Sequence, residues 1–342
     1  MAEGQIVVVD EGKMLERILE FPSQLEQSWA DLWTKELPLD PTTIHQVIIC
    51  GMGGSGIAGV IAKSLFQDSA TIPIAFWHDY GLPMYAGPNT LVLAVSDSGD
   101  TEETLDSLRK AFERKCQIVV ISRGGKDKEV AQNNNIQFVE VKIDAPPRAA
   151  LGYLLGSVLA VLTKAKLINL TEQAYFLALG ELKNAISQKT FPAKAEELSI
   201  SLNNKVPLIL ASEPLSGVAK RWQNQFNENS KTFAVFQELP EACHNVIQGL
   251  DFAIDEKIIV LNLVSNYGFS RNVARGKILQ QLFSTKEIPF VPLTIRSGSA
   301  LAEQFLFSHF GDLLSYYLAG VNGVDPTPVE DIDKFKEGLM KL

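Results

Sequence analysis

The sequence predicts an α/β protein made of two parallel-sheet domains in tandem, and three observations carry that prediction. Short apolar runs alternate with amphipathic segments through the first half of the chain. The alternation restarts after residue 205. A glycine-rich turn, Gly51-Met52-Gly53-Gly54-Ser55-Gly56, joins the first apolar run to an apolar, helix-like segment. Near-continuous apolar strands between helices mark a sheet covered on both faces, which is where parallel pairing is found.

In chain order, VIIC (47–50), TLVLAV (90–95), QIVVIS (117–122) and IQFVEV (136–141) read as buried strands. Helical patterns fall near 56–67, 101–115 and 126–132, and two more follow at 149–165 and 171–188. The stretch 189–205 is more polar and reads as a linker. Beyond it, PLILAS (207–212) precedes an amphipathic segment carrying Leu215, Val218, Trp222 and Phe226. KIIVLNLV (257–264) precedes a helical pattern at 270–284, and IPFVPL (288–293) precedes a long one at 300–319. Laying LILASEPLSG over IICGMGGSGI, and KIIVLNLVS over NTLVLAVSD, gives an internal duplication whose anchors are nearly equally spaced. The second copy has SEPLSG in place of the glycine turn, so a phosphate site built on such turns belongs to the first. Domains are expected at 1–190 and 191–342; one α/β domain with a long extension is the plainer alternative.

At 342 residues, with 46% hydrophobic and 21% charged residues, the chain has the composition of an ordinary globule. A formal charge of −9 argues against a nucleic-acid surface, which needs concentrated Lys and Arg, but not against a small anion in a local pocket. Three widely spaced cysteines, Cys50, Cys116 and Cys243, signal neither a disulfide framework nor a zinc site. The N-terminal MAEGQIVVVDEGK does not have the pattern of a signal peptide, and no apolar run reaches membrane-spanning length. A cytoplasmic location is the expectation.

The glycine turn satisfies G-x-G-x-x-G after a strand. Its glycines let the backbone approach an anion, and the helix start aims free N–H groups at it. A dinucleotide site would add an acidic residue after the second strand, for which Asp79 is the candidate. Close strand–helix packing without a ligand is a further reading. The second motif, SDSGDTEETL (96–105), shifts the balance. Ser96, Ser98 and Thr101 fall at the carboxyl end of a strand beside a new helix N-terminus, where open parallel sheets bind ligands. Three hydroxyls plus free N–H groups make an anion cradle, for which a dinucleotide has no use. The structural alternative is a helix capped by Asp100 or Thr101.

CGMGGSGIAG and SDSGDTEETL together resemble the paired signatures of sugar isomerase (SIS) domains, and above all those of the bifunctional phosphoglucose/phosphomannose isomerases. PPRAALGYLL (146–155), NENSK (227–231), LPEACHN (239–245) and GVDPTPVEDIDKFK (323–336) extend the resemblance over nearly the whole chain. It implies two SIS domains, each a flavodoxin-like αβα sandwich with a parallel sheet. It also implies an aldose-ketose isomerase acting on glucose and mannose 6-phosphates without metal or organic cofactor, as a homodimer with shared active sites.

Such chemistry needs a phosphate anchor, a base, an acid–base group for ring opening and a positive charge near the enediolate. Gly54, Ser55, Ser96, Ser98 and Thr101 are the expected anchor. Glu228, in a polar turn at the end of an amphipathic run, is the base candidate; a helix C-terminus there favours its protonated form. His244 suits ring opening, since imidazole exchanges protons near neutral pH, and the resemblance brings it from a neighbouring subunit. His45, His78 and His309 read as structural or surface residues, and Glu241 as orienting the His244 loop. Arg148, always charged, is the candidate for enediolate stabilisation. Lys336 matches the ring-opening lysine, with Lys334 as the alternative register, and Thr327 is expected to line the sugar site. The planar enediolate would accept both C2 epimers, a tolerance that the resemblance alone implies. The family pattern SYSGNT reads SDSGDT here, so Asp97 and Asp100 add charge beside a proposed dianion, and at least one should point away. After His244-Asn245 the chain runs Val-Ile-Gln, where the family more often has a glutamate. Rival readings are a non-catalytic sugar-phosphate sensor, an isomerase for another phosphosugar, and a nicotinamide-dependent oxidoreductase.

Overall fold

Residues 6–142, 145–249, 257–339 and 341 are described by the computed structural model. The first half runs α1 (Met14–Leu19), α2 (Phe21–Trp33), β1 (Gln46–Cys50), α3 (Gly53–Phe66), β2 (Ile74–Trp77), β3 (Thr90–Ser96), α4 (Glu102–Glu113), β4 (Gln117–Ser122), α5 (Gly125–Asn133), β5 (Gln137–Glu140) and α6 (Leu151–Lys164). It continues with α7 (Glu172–Ser187), α8 (Thr190–Ser201), β6 (Val206–Ala211), α9 (Ser216–Glu228), β7 (Val235–Glu238), α10 (Val246–Gly249), β8 (Ile258–Leu263), α11 (Ser270–Ser284), β9 (Phe290–Leu293), α12 (Ala300–Asn322) and α13 (Glu330–Leu339). Both sheets are parallel, ordered β2-β1-β3-β4-β5 and β7-β6-β8-β9.

The shared strand order is the duplication seen in the sequence. β1 pairs with β2 and β3 as β6 pairs with β7 and β8, and the registers superpose: Gln46 faces Thr90 as Val206 faces Ile258. α2 packs on α6 as α8 packs on α12, and α3 meets α9 between the two halves. One apolar core therefore runs through both domains. It takes Ile49, Leu93 and Val95 from the inner face of the first sheet, and Ile209, Leu261 and Leu263 from that of the second. The outer faces carry smaller cores around Val92 and Val120, and around Leu210 and Val260.

The expected linker at 189–205 is corrected: most of it is α8, packed on α12. Its buried positions are Ala195, Ser199 and Leu202, and the first two are small enough for close helix packing while contributing little to an apolar pattern. β2 and β7, short strands at the sheet margins with half-buried residues, also escaped the apolar-run criterion. The second sheet has no counterpart of β5 among the described residues, so β9 is its edge. Pro289 and Leu293 turn their carbonyls to β8. Pro292, at the alternate parity, therefore faces the open side, where its missing N–H costs the ladder nothing.

Phe305 on α12 is fully buried and meets Phe21 of α2 and Tyr175 of α7 edge-on, at centroid distances of 6.2 and 5.8 Å. Phe305→Ala is expected to lower unfolding free energy by about 3–5 kcal/mol in urea titration, because it empties a site shared by both halves of the core.

Candidate active site

The glycine turn and the serine turn meet at the carboxyl ends of β1 and β3, with β2 flanking one strand and β4 the other. This is a topological switch point, where the diverging connections open a crevice. Met52 stands at the N-cap of α3 with no side-chain cap bond. Its carbonyl accepts from the Ser55 and Gly56 N–H groups at 3.0 and 2.9 Å, and the N–H groups of Gly53 and Gly54 come before the first intrahelical bond. Ser55 is buried, and its Oγ accepts a hydrogen bond from the Asp97 N–H at 2.9 Å, which ties the two turns together.

In the second turn, Ser96 Oγ lies 3.0 Å from Thr101 Oγ1 and accepts from the Gly99 N–H at 3.1 Å. Ser98 Oγ accepts from the Asp100 N–H at 3.2 Å. Thr101 does sit at the N-cap of α4, yet its side chain makes no cap bond and turns to Ser96 instead. Helix capping thus leaves the hydroxyl cluster unexplained. Gly99 has φ 76°, and a Cβ there would run into the carbonyl oxygen of Gly124, so the 96–101 turn nests against the start of α5.

The two extra aspartates are both held by that neighbouring segment. Asp97 is wholly buried and ion-paired with Arg123 at 2.7 Å, and Asp100 accepts from the Lys126 N–H at 3.1 Å. Asp127 is a further carboxyl in this region, fully buried, with no hydrogen-bond partner for either oxygen among the described residues. Burial, and secondly the charge of Asp100, push its pKa up to about 7.

Arg148 lies in a 3-10 turn (Pro147–Ala149) before α6 and is 3% exposed. Gly54 packs directly on it: a Cβ on Gly54 would stand 2.7 Å from the Arg148 backbone nitrogen. The guanidinium crosses to the second domain. Nε donates to Asn229 Oδ1 at 2.7 Å, Nη2 donates to the carbonyls of Pro326 and Thr327 at 2.8 and 2.7 Å, and Nη1 lies 3.5 Å from Glu228 Oε2. Glu228 ends α9 with 22% of its side chain exposed. Burial raises its pKa above the ordinary carboxylate value, against the opposing charges of Arg148, Arg221, Lys231 and Lys336. The expected direction is met, with burial rather than the helix terminus as the leading cause. Lys231, at φ 53°, closes the helix end by donating from Nζ to the carbonyls of Glu228 and Asn229 at 2.6 and 3.4 Å.

The structure thus brings Gly54, Ser55, Ser96, Ser98 and Thr101 into one cluster and joins Arg148 to Glu228 beside it. Lys336 on α13 is exposed but within electrostatic reach of Glu228, whereas Lys334 pairs with Glu330 and Asp331 of its own helix. Thr327 contributes its carbonyl to Arg148, and its hydroxyl is buried against Gly12. His244, exposed at the end of a 3-10 turn after β7, makes no hydrogen bond or ion pair with the Arg148–Glu228 cluster among the described residues. Glu241 holds that loop by accepting from Asn245 Nδ2 at 2.9 Å. His309 is buried and stacks on Phe21 and Phe191, while His45 and His78 are exposed. Cys50 is a buried core residue whose thiol pKa is pushed up to about 12 by burial, so it is no nucleophile.

Asn229, Arg221 and Asp312 were not singled out from the sequence. The signal was present: Arg221, Gln225 and Glu228 follow i, i+4, i+7 spacing along an otherwise apolar helix face, and Asp312 is a charge inside the apolar run of α12. No helix among the described residues is long and apolar enough to cross a membrane.

Residues 42–164 match the family model for the SIS domain, and residues 191–339 match the model described as bacterial phospho-glucose isomerase C-terminal SIS domain. With the two parallel sheets, these matches define a tandem SIS-domain protein. The chain is 31% identical to a bifunctional phosphoglucose/phosphomannose isomerase of Caldicellulosiruptor bescii, over 96% of this chain and 99% of that one. It therefore belongs to the bifunctional phosphoglucose/phosphomannose isomerase family. A D-glucosamine-6-phosphate 4-epimerase of Sulfolobus acidocaldarius is also related, 28% identical over 66% of this chain and 72% of that one. Among solved structures, the C-terminal domain of a glucosamine-fructose-6-phosphate aminotransferase from Francisella tularensis superposes with TM-score 0.70 at 20% identity, covering 93% of this chain and 98% of that chain.

Asp127 generates a pH prediction. Its folded pKa of about 7 lies above the unfolded carboxylate value. Its contribution to stability is therefore complete below the unfolded pKa and lost as pH rises through about 7. Asp127→Asn should gain on wild type by about 2–4 kcal/mol between pH 4 and pH 8, read as a melting-temperature difference that widens with pH.

Proposed function

We propose that the protein interconverts glucose 6-phosphate and mannose 6-phosphate with fructose 6-phosphate in the cytoplasm, through an enediolate and without metal or nucleotide. The observation that carries this reading is the half-buried Glu228 carboxylate 3.5 Å from the buried Arg148 guanidinium, which Gly54 seats beside the hydroxyl turns. The phosphate of the open-chain sugar is held by the Ser55, Ser96, Ser98 and Thr101 hydroxyls and by the α3 and α4 N-termini. Glu228 takes the C2 proton of the aldose and returns it to C1, and its raised pKa makes it a stronger base than an exposed carboxylate. Arg148 offsets the negative charge on the enediolate oxygens. Because the enediolate is planar at C2, both epimers share it.

Lys336 assists ring opening with His244, which comes from the partner in a homodimer. The exposure of His244, with no hydrogen bond or ion pair to the Arg148–Glu228 cluster among the described residues, supports that exchange. Asp97 and Asp100, tied to Arg123 and to the Lys126 N–H, leave the phosphate to the hydroxyls. A division into domains at 1–190 and 191–342 gives the phosphate to the first and the base to the second.

The test is turnover of fructose 6-phosphate by purified protein, with both aldose 6-phosphates followed. Both should form, and Glu228→Gln should reduce kcat by about 10²–10⁴-fold. Formation of neither aldose, with the sugar phosphate still bound, would identify a sensor; formation of glucose 6-phosphate alone would narrow the specificity. In the wild type, the acid limb of kcat should lie above the ordinary carboxylate range, because the base must be ionised and its pKa is raised. Lys336→Ala should lower kcat while Lys334→Ala leaves it within about twofold, since only Lys336 reaches the base electrostatically.

A further inference from the structure

Arg148 and Glu228 come from different domains, so their 3.5 Å approach depends on how the 146–149 turn is fixed against α9. The side-chain bonds of Arg148 fix the guanidinium; a separate set fixes its backbone. Arg221 Nη2 donates to the Arg148 carbonyl oxygen at 2.7 Å. The same guanidinium is held in a two-point clasp by Asp312 of α12, Nε to Oδ1 at 3.0 Å and Nη2 to Oδ2 at 2.8 Å. Gln225 donates to Asp312 Oδ1 at 2.7 Å and so fixes the carboxylate as well. All three side chains are buried, at 1–3% exposure.

We propose that Arg221, clasped by Asp312 and Gln225, is a positioning residue for the isomerase reaction, setting the Arg148 turn against the Glu228 base across the domain boundary. This inference rests on the isomerase reading given above. Gln225 and Arg221 stand one and two helical steps before Glu228 on the same face of α9, so a single rigid helix carries both the base and the clamp that locates its partner. Arg221 also acts on Glu228 directly, since its charge is one of those that oppose the burial of that carboxyl. The geometric effect is therefore read from kcat at pH values above the acid limb, where Glu228 is ionised in either protein. A guanidinium displaced by about 1 Å costs on the order of 10²-fold in rate. It would also release Glu228 from a charge that holds its pKa down.

A buried pair cannot be tested by removing one member, because the orphaned charge destabilises the fold. The informative variant is Arg221→Met with Gln225→Leu and Asp312→Leu, which replaces the whole polar set by apolar groups of similar volume. With fructose 6-phosphate as substrate, this variant should melt within about 5 °C of wild type. Its kcat above the acid limb should fall about 10–100-fold at nearly unchanged KM, and the limb itself should move to higher pH, in part through loss of the Arg221 charge. Arg221→Lys keeps the charge but not the fork, and should recover part of the loss. A folded triple variant whose kcat falls less than about threefold, or whose acid limb stays where it was, overturns the inference. Should the triple variant not fold, Arg221→Lys is read by the same two criteria. A wild type inactive on every phosphosugar instead overturns the isomerase reading itself.

Discussion

Arg148 cannot shed its charge, and that constraint organises the site. A guanidinium buried without partners would cost several kcal/mol, so the fold must supply acceptors wherever this residue goes. It supplies them from the far domain: Asn229 at the end of α9 and the carbonyls of Pro326 and Thr327. Satisfying one cation therefore fixes three segments separated by about eighty to a hundred and eighty positions in sequence. Gly54 transmits the arrangement to the glycine turn, since only a residue without a Cβ lets α3 start against the Arg148 backbone. The glycine turn and the Glu228 carboxylate are in this sense one object.

The two halves share a topology but have diverged in what their strand ends carry. By sheet register, Val264, Asn266 and Phe269 stand where the first domain has Ser96, Ser98 and Thr101, and Leu215 stands where it has Ser55. Three of these four positions have lost any polar group. The second domain has kept the scaffold and uses it differently: the helix after its first strand carries at its far end the carboxylate and the lysine that faces back over it. A duplicated fold can thus divide the requirements of one site, with neither half needing to be complete.

Much of this was legible in the sequence because the central strands are buried on both faces and read as uninterrupted apolar runs. Marginal strands such as β2 and β7 were not, since their residues are only half buried. α8 was missed for a related reason: its contact face is Ala195 and Ser199, which an apolar pattern does not record. Candidate site residues inside motifs, such as Ser96, Thr101 and Glu228, could be named from chemistry and resemblance. Arg221 and Asp312 could not be paired, because the partners lie on separate helices and only the three-dimensional packing of α9 on α12 unites them. The role of Asp97 was likewise hidden until Arg123, from the next strand's turn, appeared beside it.

Among the described residues the second sheet stops at β9, and that edge bears on how copies of the chain can associate. An open parallel edge is normally a template on which another strand can grow. On β9 the outward-facing positions are Phe290 and Pro292, and Pro292 withdraws one of the two donors. A visiting strand could bond the backbone of Phe290 but would find no donor at Pro292, so the ladder could not run the length of the strand. Any association along this border would therefore depend more on side chains and helices, which select partners by shape, than on backbone pairing, which accepts almost any sequence.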